Sequence, residues 1–352
     1  ADGCAMTVIV ALLGLIFLIV IHELGHMLTA KAMGVRVPEF AVGFGPALVK
    51  KRIGKTVYSL RIILLGGFAK MAGMGDGAEG PDTYHAKAAW RRALIILAGP
   101  LANAVAAVLI LACVYMFQGI VTDVKPVVSA VEPASMAQEV GIKDEDRIVG
   151  LNSSQVGSWD DFEREMMGRK PGEQVSVTVV RDGSQKTFEG VLGADPEDKK
   201  HALLGVRPTI ETTTYGPVKS LGLAVQRCSE ITVKLGAFVG QLITGEKDFY
   251  DNVTGPVGIA SVGSTAVSQG FFLPLLALIS LNLALFNLLP ILPLDGGHLF
   301  FIVAEKVIGR PVSEQTMGKI AAFGLVLVLA LFLFATYADL SKLFTGQPFI
   351  PD

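Results

Sequence analysis

The 352 residues are 51% hydrophobic and only 18% charged, with a mean hydropathy of +0.53, whereas soluble domains carry about a quarter charged residues. A formal net charge of −2 gives no basis for a nucleic-acid partner. Cys4, Cys113 and Cys228 are dispersed and lack CxxC spacing, which excludes a disulfide framework and a thiolate metal site, so any transition metal must be held by His and carboxylate.

Residues 1–5 read as an added or processing remnant, with Met6 as the native start. Residues 6–33 are apolar up to Ile21 and are predicted to form a first transmembrane helix that runs into His22-Glu23-Leu24-Gly25-His26. Residues 34–92 carry ten Lys/Arg against four Asp/Glu, counted along the sequence, which places this loop in the cytoplasm by the positive-inside rule. Within it, residues 56–71 (TVYSLRIILLGGFAKM) are β-rich and too short to span, and are expected to form a membrane-associated β-hairpin or loop.

A second transmembrane helix is expected at 93–117. Residues 124–210 turn charged, Gly-punctuated and alternating, with strands expected at Val127–Val131, Arg147–Leu151, Val175–Arg181 and Lys186–Val191 and a helix at Trp159–Met167. Trp159 is expected to be ordinary core. This is a small α+β domain inserted between spans, on the extracytoplasmic side if the first loop is cytoplasmic. Residues 217–250 are apolar, but Lys219, Arg227, Glu230 and Lys234 fall through them, which favours an amphipathic helix on the membrane surface. A third transmembrane segment at 271–303 is broken by Pro290, Pro293, Gly296 and Gly297, and such backbone survives at membrane depth only inside protein or beside a polar cavity. A fourth transmembrane helix is expected at 320–344. The fold class is thus a polytopic α-helical membrane protein of about four transmembrane helices with one soluble insert.

His22 and His26 stand at i and i+4, so their imidazoles project from one helix face, and two such nitrogens can share a tetrahedral Zn²⁺. Glu23 sits about 100° round the helix, placed to accept a proton from a water without being a ligand. Three ionisable residues directly after an apolar run point to function. Two histidines leave such a site one ligand short. His85 and His201 lie in the basic loop and the insert, while Asp295 and His298 belong to the broken third segment and compete for the role. Asp295 could instead cap the helix that restarts there. Asn287, just before the turn, could hold a substrate strand or satisfy backbone freed by the prolines.

These residues together resemble the site-2 protease family of intramembrane zinc metalloproteases, and most of all its bacterial PDZ-containing branch, the regulator-of-sigma-E protease type. HELGHMLTAKAMGV, FAVGFGP, LLGGFAKM, LAGPLANAVAA, GPVGIA and NLLPILPLDGGHL occur in the family order over nearly the whole chain from Met6. The resemblance implies His22, His26 and Asp295 as zinc ligands and Glu23 as general base. It implies Asn282, Asn287, Gly66 and Gly67 as substrate-binding residues, the last two in a β-loop that presents the substrate as an extended strand.

The insert resembles a single PDZ domain, where many relatives carry two. This sequence has Leu64-Leu65-Gly66-Gly67 where the family favours Pro-Leu-Gly-Gly, Leu292-Pro293 where Pro followed by a small residue is common, and Glu145 where the PDZ turn usually has Gly. The implied activity is cleavage within the transmembrane segment of a single-span client, anti-sigma-factor-like or signal-peptide-like, after extracytoplasmic trimming. The implied setting is the lipid of a bacterial inner membrane, with the PDZ-like domain contacting the client's extracytoplasmic tail. The alternatives are a zinc-handling transporter, supported by the broken span and intramembrane polar residues, and a noncatalytic PDZ scaffold, against which the intact HELGH argues.

Overall fold

Uninterrupted apolar sequence in a bilayer forces helix, because every backbone polar group must find its partner within the segment. Among the described residues of the computed structural model, three helices are long and apolar enough to cross a membrane, over Ile9–Ala32, Ala89–Phe117 and Gln315–Thr345. The structure describes residues 2–75, 77–194, 202–246, 255, 258, 259, 266, 270–310, 312 and 314–345. His201, residues 247–250 of the expected surface helix region, Ala1 and all of GPVGIA except Gly255, Gly258 and Ile259 lie outside them. The chain divides into two units, one of residues 1–114, 216–341 and 349–352, the other of residues 115–215 and 342–348.

In the first unit, α1 (Asp2–Ala32) leads into two long strands, β1 (Glu39–Ile53) and β2 (Thr56–Lys70). The expected β element at 56–71 is therefore β2 alone, and its partner Glu39–Ile53 escaped notice because Lys50-Lys51-Arg52 and three glycines or prolines break its alternation. The pair is antiparallel and bent, so that Glu39–Val42 has register partners on both sides, Val57–Leu60 and Gly67–Lys70.

Helix α2 (Ala89–Phe117) follows. Of its apolar window 44% is buried, against 11% for the windows of the first and last spans, so α2 is the enclosed one. After the insert comes α5 (Pro217–Thr244), started by a proline in its first turn and ended at Gly245 with φ +77°. The third apolar block is not one span. It is α6 (Phe272–Asn287) and α7 (Asp295–Ile308), separated by a turn with a cis Leu292–Pro293 bond. At 1.5 Å per residue α6 is about 24 Å long, short of a ~30 Å hydrocarbon core. Pro290 and Pro293 withhold the donors that would have continued it. The last helix, α8, runs Glu314–Thr345. Met27, Ala30, Val35, Val37, Phe40, Met71, Tyr84, Ile95, Ile96 and Ile302 form one buried cluster that ties α1, the β pair, α2 and α7 together.

The second unit is a sheet with helices. Its strands are β3 (Ile120–Val131), β4 (Arg147–Leu151), β5 (Ser154–Gln155), β6 (Gln174–Arg181), β7 (Ser184–Val191) and β10 (Val206–Thr213), in the order β10-β3-β4-β6-β7 with β5 on β4. A short pair, β8 (Gly193–Ala194) and β9 (Ala202–Leu203), stands apart. Helix α3 (Met136–Val140) is capped by Ser135. Helix α4 (Trp159–Met166) is closed by a capping box between Ser158 and Asp161.

The four expected strands and the helix match β3, β4, β6, β7 and α4, while α3 and β10 were not anticipated. Val128, Ile148 and Leu151 fill the core together with Val175, Val177 and Val179, which stand at alternate positions of β6, and Trp159 packs there with Phe162. Glu145, at the turn where the resemblance leads one to expect glycine, has φ +71°.

Candidate metal centre

The one-turn spacing in α1 puts two imidazoles side by side, their Nε2 atoms 3.2 Å apart. Asp295 Oδ2 lies 3.0 Å from His22 Nε2 and 3.3 Å from His26 Nε2. The three side chains are 12%, 7% and 15% exposed for His22, His26 and Asp295, so this is an enclosed polar cluster and not a solvated helix end. The edge of a tetrahedron built on bonds of about 2.0–2.1 Å is ~3.3 Å, and the three donor separations fall close to it. Asp295 Oδ2 is buried without a hydrogen-bond partner, as expected of an oxygen reserved for a cation.

Asp295 arrives there because α7 restarts at it. The helix cap is Leu294, which makes no side-chain cap bond, so the Asp295 carboxylate is free to face α1. The capping role considered for Asp295 is thereby corrected. Gly296 makes this possible, since a Cβ there would lie 2.2 Å from the Leu288 carbonyl oxygen of the preceding turn. His298, the rival third ligand, supplies no atom to the cluster, and neither does His85.

Helix α2 lines the other side through Ile95, Gly99 and Asn103, residues at i, i+4 and i+8 on one face. His26 Nδ1 donates to the Ile95 carbonyl at 2.8 Å, which leaves the Nε2 lone pair for the centre. A Cβ on Gly99 would stand 2.2 Å from His26 Nε2 and 2.8 Å from His22 Nε2, so glycine is what gives the two rings their space. Asn103, 1% exposed, has Nδ2 3.4 Å from His22 Nδ1 and an Oδ1 without a partner. Its carbonyl accepts from Ser280 Oγ of α6 at 2.8 Å. The donor set, the spacing, the orphaned carboxylate oxygen and the cradle at Gly99 all fit a divalent transition metal.

Glu23 points to the side away from α2. Its carboxylate lies near the Ala69 backbone, and its Cγ is 3.4 Å from where a Cβ of Gly67 would stand. Strand β2 thus runs directly past the metal centre at Gly67. Gly66 has φ +153°, with the Phe44 ring over it. Asn282 keeps a buried Oδ1 without a partner, whereas Asn287 Nδ2 donates to the Leu283 carbonyl of its own helix at 2.9 Å. Reading the sequence missed the parts played by Gly99 and Asn103. An Asn inside an otherwise apolar span, three residues after the Gly99-Pro100 pair, was the signal available.

A model of peptidase family M50 matches residues 10–331. A Clostridium acetobutylicum protein that carries a zinc metalloprotease name is 32% identical over 341 residues, covering 94% of this chain and 96% of its own. Zinc metalloprotease RasP of Geobacillus kaustophilus is 29% identical over 414 residues, covering 93% and 96%. Among solved structures, the PDZ domain of the SdrC-like protein of Listeria monocytogenes aligns with 25% of this chain and 87% of its own at 18% identity, with a TM-score of 0.22.

Proposed function

The chain belongs to peptidase family M50, and from that premise we propose that it is an intramembrane zinc metalloprotease of the site-2 type. The observation that carries this is the convergence of His22, His26 and Asp295 from two apolar segments, with Glu23 beside them and strand β2 running past. A Zn²⁺ held by those three side chains would supply a Lewis acid and bring the pKa of a water down to about 7.

Glu23 accepts the proton of the attacking water and delivers it to the amide nitrogen as the peptide bond breaks. A helical substrate hides its carbonyls, so it must unwind before it can react. Among the described residues Gly67–Lys70 is paired on one side only, with Glu39–Val42. An unwound segment adding to the open edge gains main-chain hydrogen bonds next to Glu23. Gly66 and Gly67 offer it main-chain groups, and Asn282 and Asn287 hold its main chain.

The client is a single-span protein of the anti-sigma-factor or signal-peptide kind, already trimmed outside the membrane. The protein lies in a bacterial cytoplasmic membrane with lipid around about four spanning segments and the basic 34–92 loop on the cytoplasmic side. Helix α5 lies on the membrane surface. The insert, PDZ-like and extracytoplasmic, reads the client's tail or limits its size.

The test is proteolysis of a model single-span substrate in proteoliposomes with metal analysis, comparing wild type, Glu23→Gln and Asp295→Ala. Glu23→Gln is expected to keep zinc and lose about 10²–10⁴ in rate, and Asp295→Ala to lose the metal. Undiminished cleavage by Glu23→Gln sinks the general base. Full zinc in Asp295→Ala sinks the ligand set and turns the search to His298.

A further inference from the structure

The face of α2 that lines the centre treats the two imidazoles differently. His26 has its ring fixed by a 2.8 Å bond from Nδ1 to the Ile95 carbonyl. His22 has Asn103 at its Nδ1, with the amide nitrogen 3.4 Å away and the amide oxygen buried and unpartnered. A neutral imidazole has one lone pair and one N–H. If the Nε2 lone pair of His22 serves a metal, Nδ1 carries the hydrogen, and an N–H facing an amide NH₂ is a clash of donors. Half a turn of the Asn103 amide exchanges its oxygen and nitrogen with no other movement. The buried oxygen then accepts from His22 Nδ1–H, which answers the orphaned oxygen and the missing acceptor in one step.

We propose that Asn103 is a positioning residue whose side-chain oxygen fixes the tautomer and ring orientation of His22 for metal binding. The inference rests on the metal reading of His22, His26 and Asp295. It makes one face of α2 the second layer of the centre: the Ile95 carbonyl holds His26, Gly99 clears space for both rings and Asn103 holds His22. The bond from Ser280 Oγ to the Asn103 carbonyl steadies this stretch of α2 against α6. Partners of this kind set metal affinity, and their loss costs about 10–100-fold.

Zinc affinity is measured by chelator competition on the full-length protein in detergent for wild type, Asn103→Ala, Asn103→Asp and Ser280→Ala. Asn103→Ala is expected to weaken zinc about 10–100-fold. Asn103→Asp, which keeps an acceptor in the same place, stays at or above wild-type affinity. Ser280→Ala, which disturbs packing without touching His22, remains within about threefold of wild type, far smaller than the loss of a ligand-orienting partner. Unchanged affinity in Asn103→Ala overturns the proposal, as does an equal loss in Asn103→Asp or in Ser280→Ala.

Independently of folding in the variants, ¹⁵N spectra of histidine-labelled, zinc-loaded wild type should show His22 protonated at Nδ1. Metal ligation through Nδ1 overturns the proposal. Wild type that binds no zinc overturns the metal reading, and this inference with it. Wild type that binds zinc while Asn103→Ala binds it equally overturns the inference alone.

Discussion

Asp146 in the inserted unit is fully buried, yet its carboxylate is fully engaged. Arg181 Nε and Nη2 donate to it at 2.7 and 2.6 Å and the Lys143 amide at 2.8 Å, while the same guanidinium reaches the Gly141 carbonyl at 2.8 Å. In the membrane unit the reverse holds. Every buried side-chain atom left without a hydrogen-bond partner among the described residues is there: Arg61 Nε, Arg92 Nε, Asn103 Oδ1, Asn282 Oδ1 and Asp295 Oδ2. Burying a polar atom without a partner costs about 1–3 kcal/mol, so a fold keeps such atoms only where something else fills them. Satisfied polarity in the insert serves the fold; Arg61 and Arg92 are still paired through other nitrogens with Glu39 and Glu305, whereas Asn103 Oδ1 and Asp295 Oδ2 stand unpartnered at the candidate metal centre.

The sharpest way to break this contrast is to fill the space the site keeps open. Gly99→Ala puts a methyl group on His26 Nε2 and is expected to lower zinc affinity by about 100-fold or more. Chelator competition and a thermal melt read this directly, and the melting of the insert should not move. The converse is Ile148→Ala, at a fully buried core position of the insert. It should cost about 2–5 kcal/mol of that unit's stability, measured by denaturant unfolding followed at a tryptophan, with zinc occupancy unchanged. Loss of zinc on Ile148→Ala would join what the comparison separates.

Acid distinguishes the units next. Burial alone would raise the Asp146 carboxyl, but the Arg181 guanidinium and the Lys143 amide outweigh it and hold the group below its ordinary value. A carboxyl whose pKa is lowered on folding contributes fully above its unfolded value of about 3.9. That contribution disappears as pH falls through the lowered folded value. Stability of the insert should therefore decline below about pH 4 in wild type and decline less steeply in Asp146→Asn, as denaturant midpoints against pH would show. The smallest effect concerns Glu145, exposed and held at φ +71°. Glu145→Gly relieves a left-handed backbone and should stabilise the insert by up to about 1 kcal/mol, visible as a small rise in its unfolding midpoint.

Much of this was legible in the residues. The i, i+4 spacing of His22 and His26 requires no tertiary knowledge, because helix periodicity alone puts both rings on one face. The apolar blocks show where spans must run, since only helix satisfies backbone in lipid. The alternation at Val175–Arg181 gives a strand, and the prolines at 290 and 293 forecast the break in the third block. What the residues left open was the choice between Asp295 and His298. A difference of three residues on one helix is decided by where that helix starts, and it starts at Asp295, after the Leu294 cap, a consequence of how the turn folds back through Gly296. The partner strand Glu39–Ile53 stayed hidden because pairing is a long-range relation and its own pattern is broken by charges.

His22-Glu23-Leu24-Gly25-His26 and the capacity for a two-histidine site were therefore set by local sequence. The third ligand, the strand beside Glu23, and the roles of Gly99 and Asn103 came only with the tertiary structure. They depend on distances between elements far apart in the chain, and no periodicity within one element encodes those.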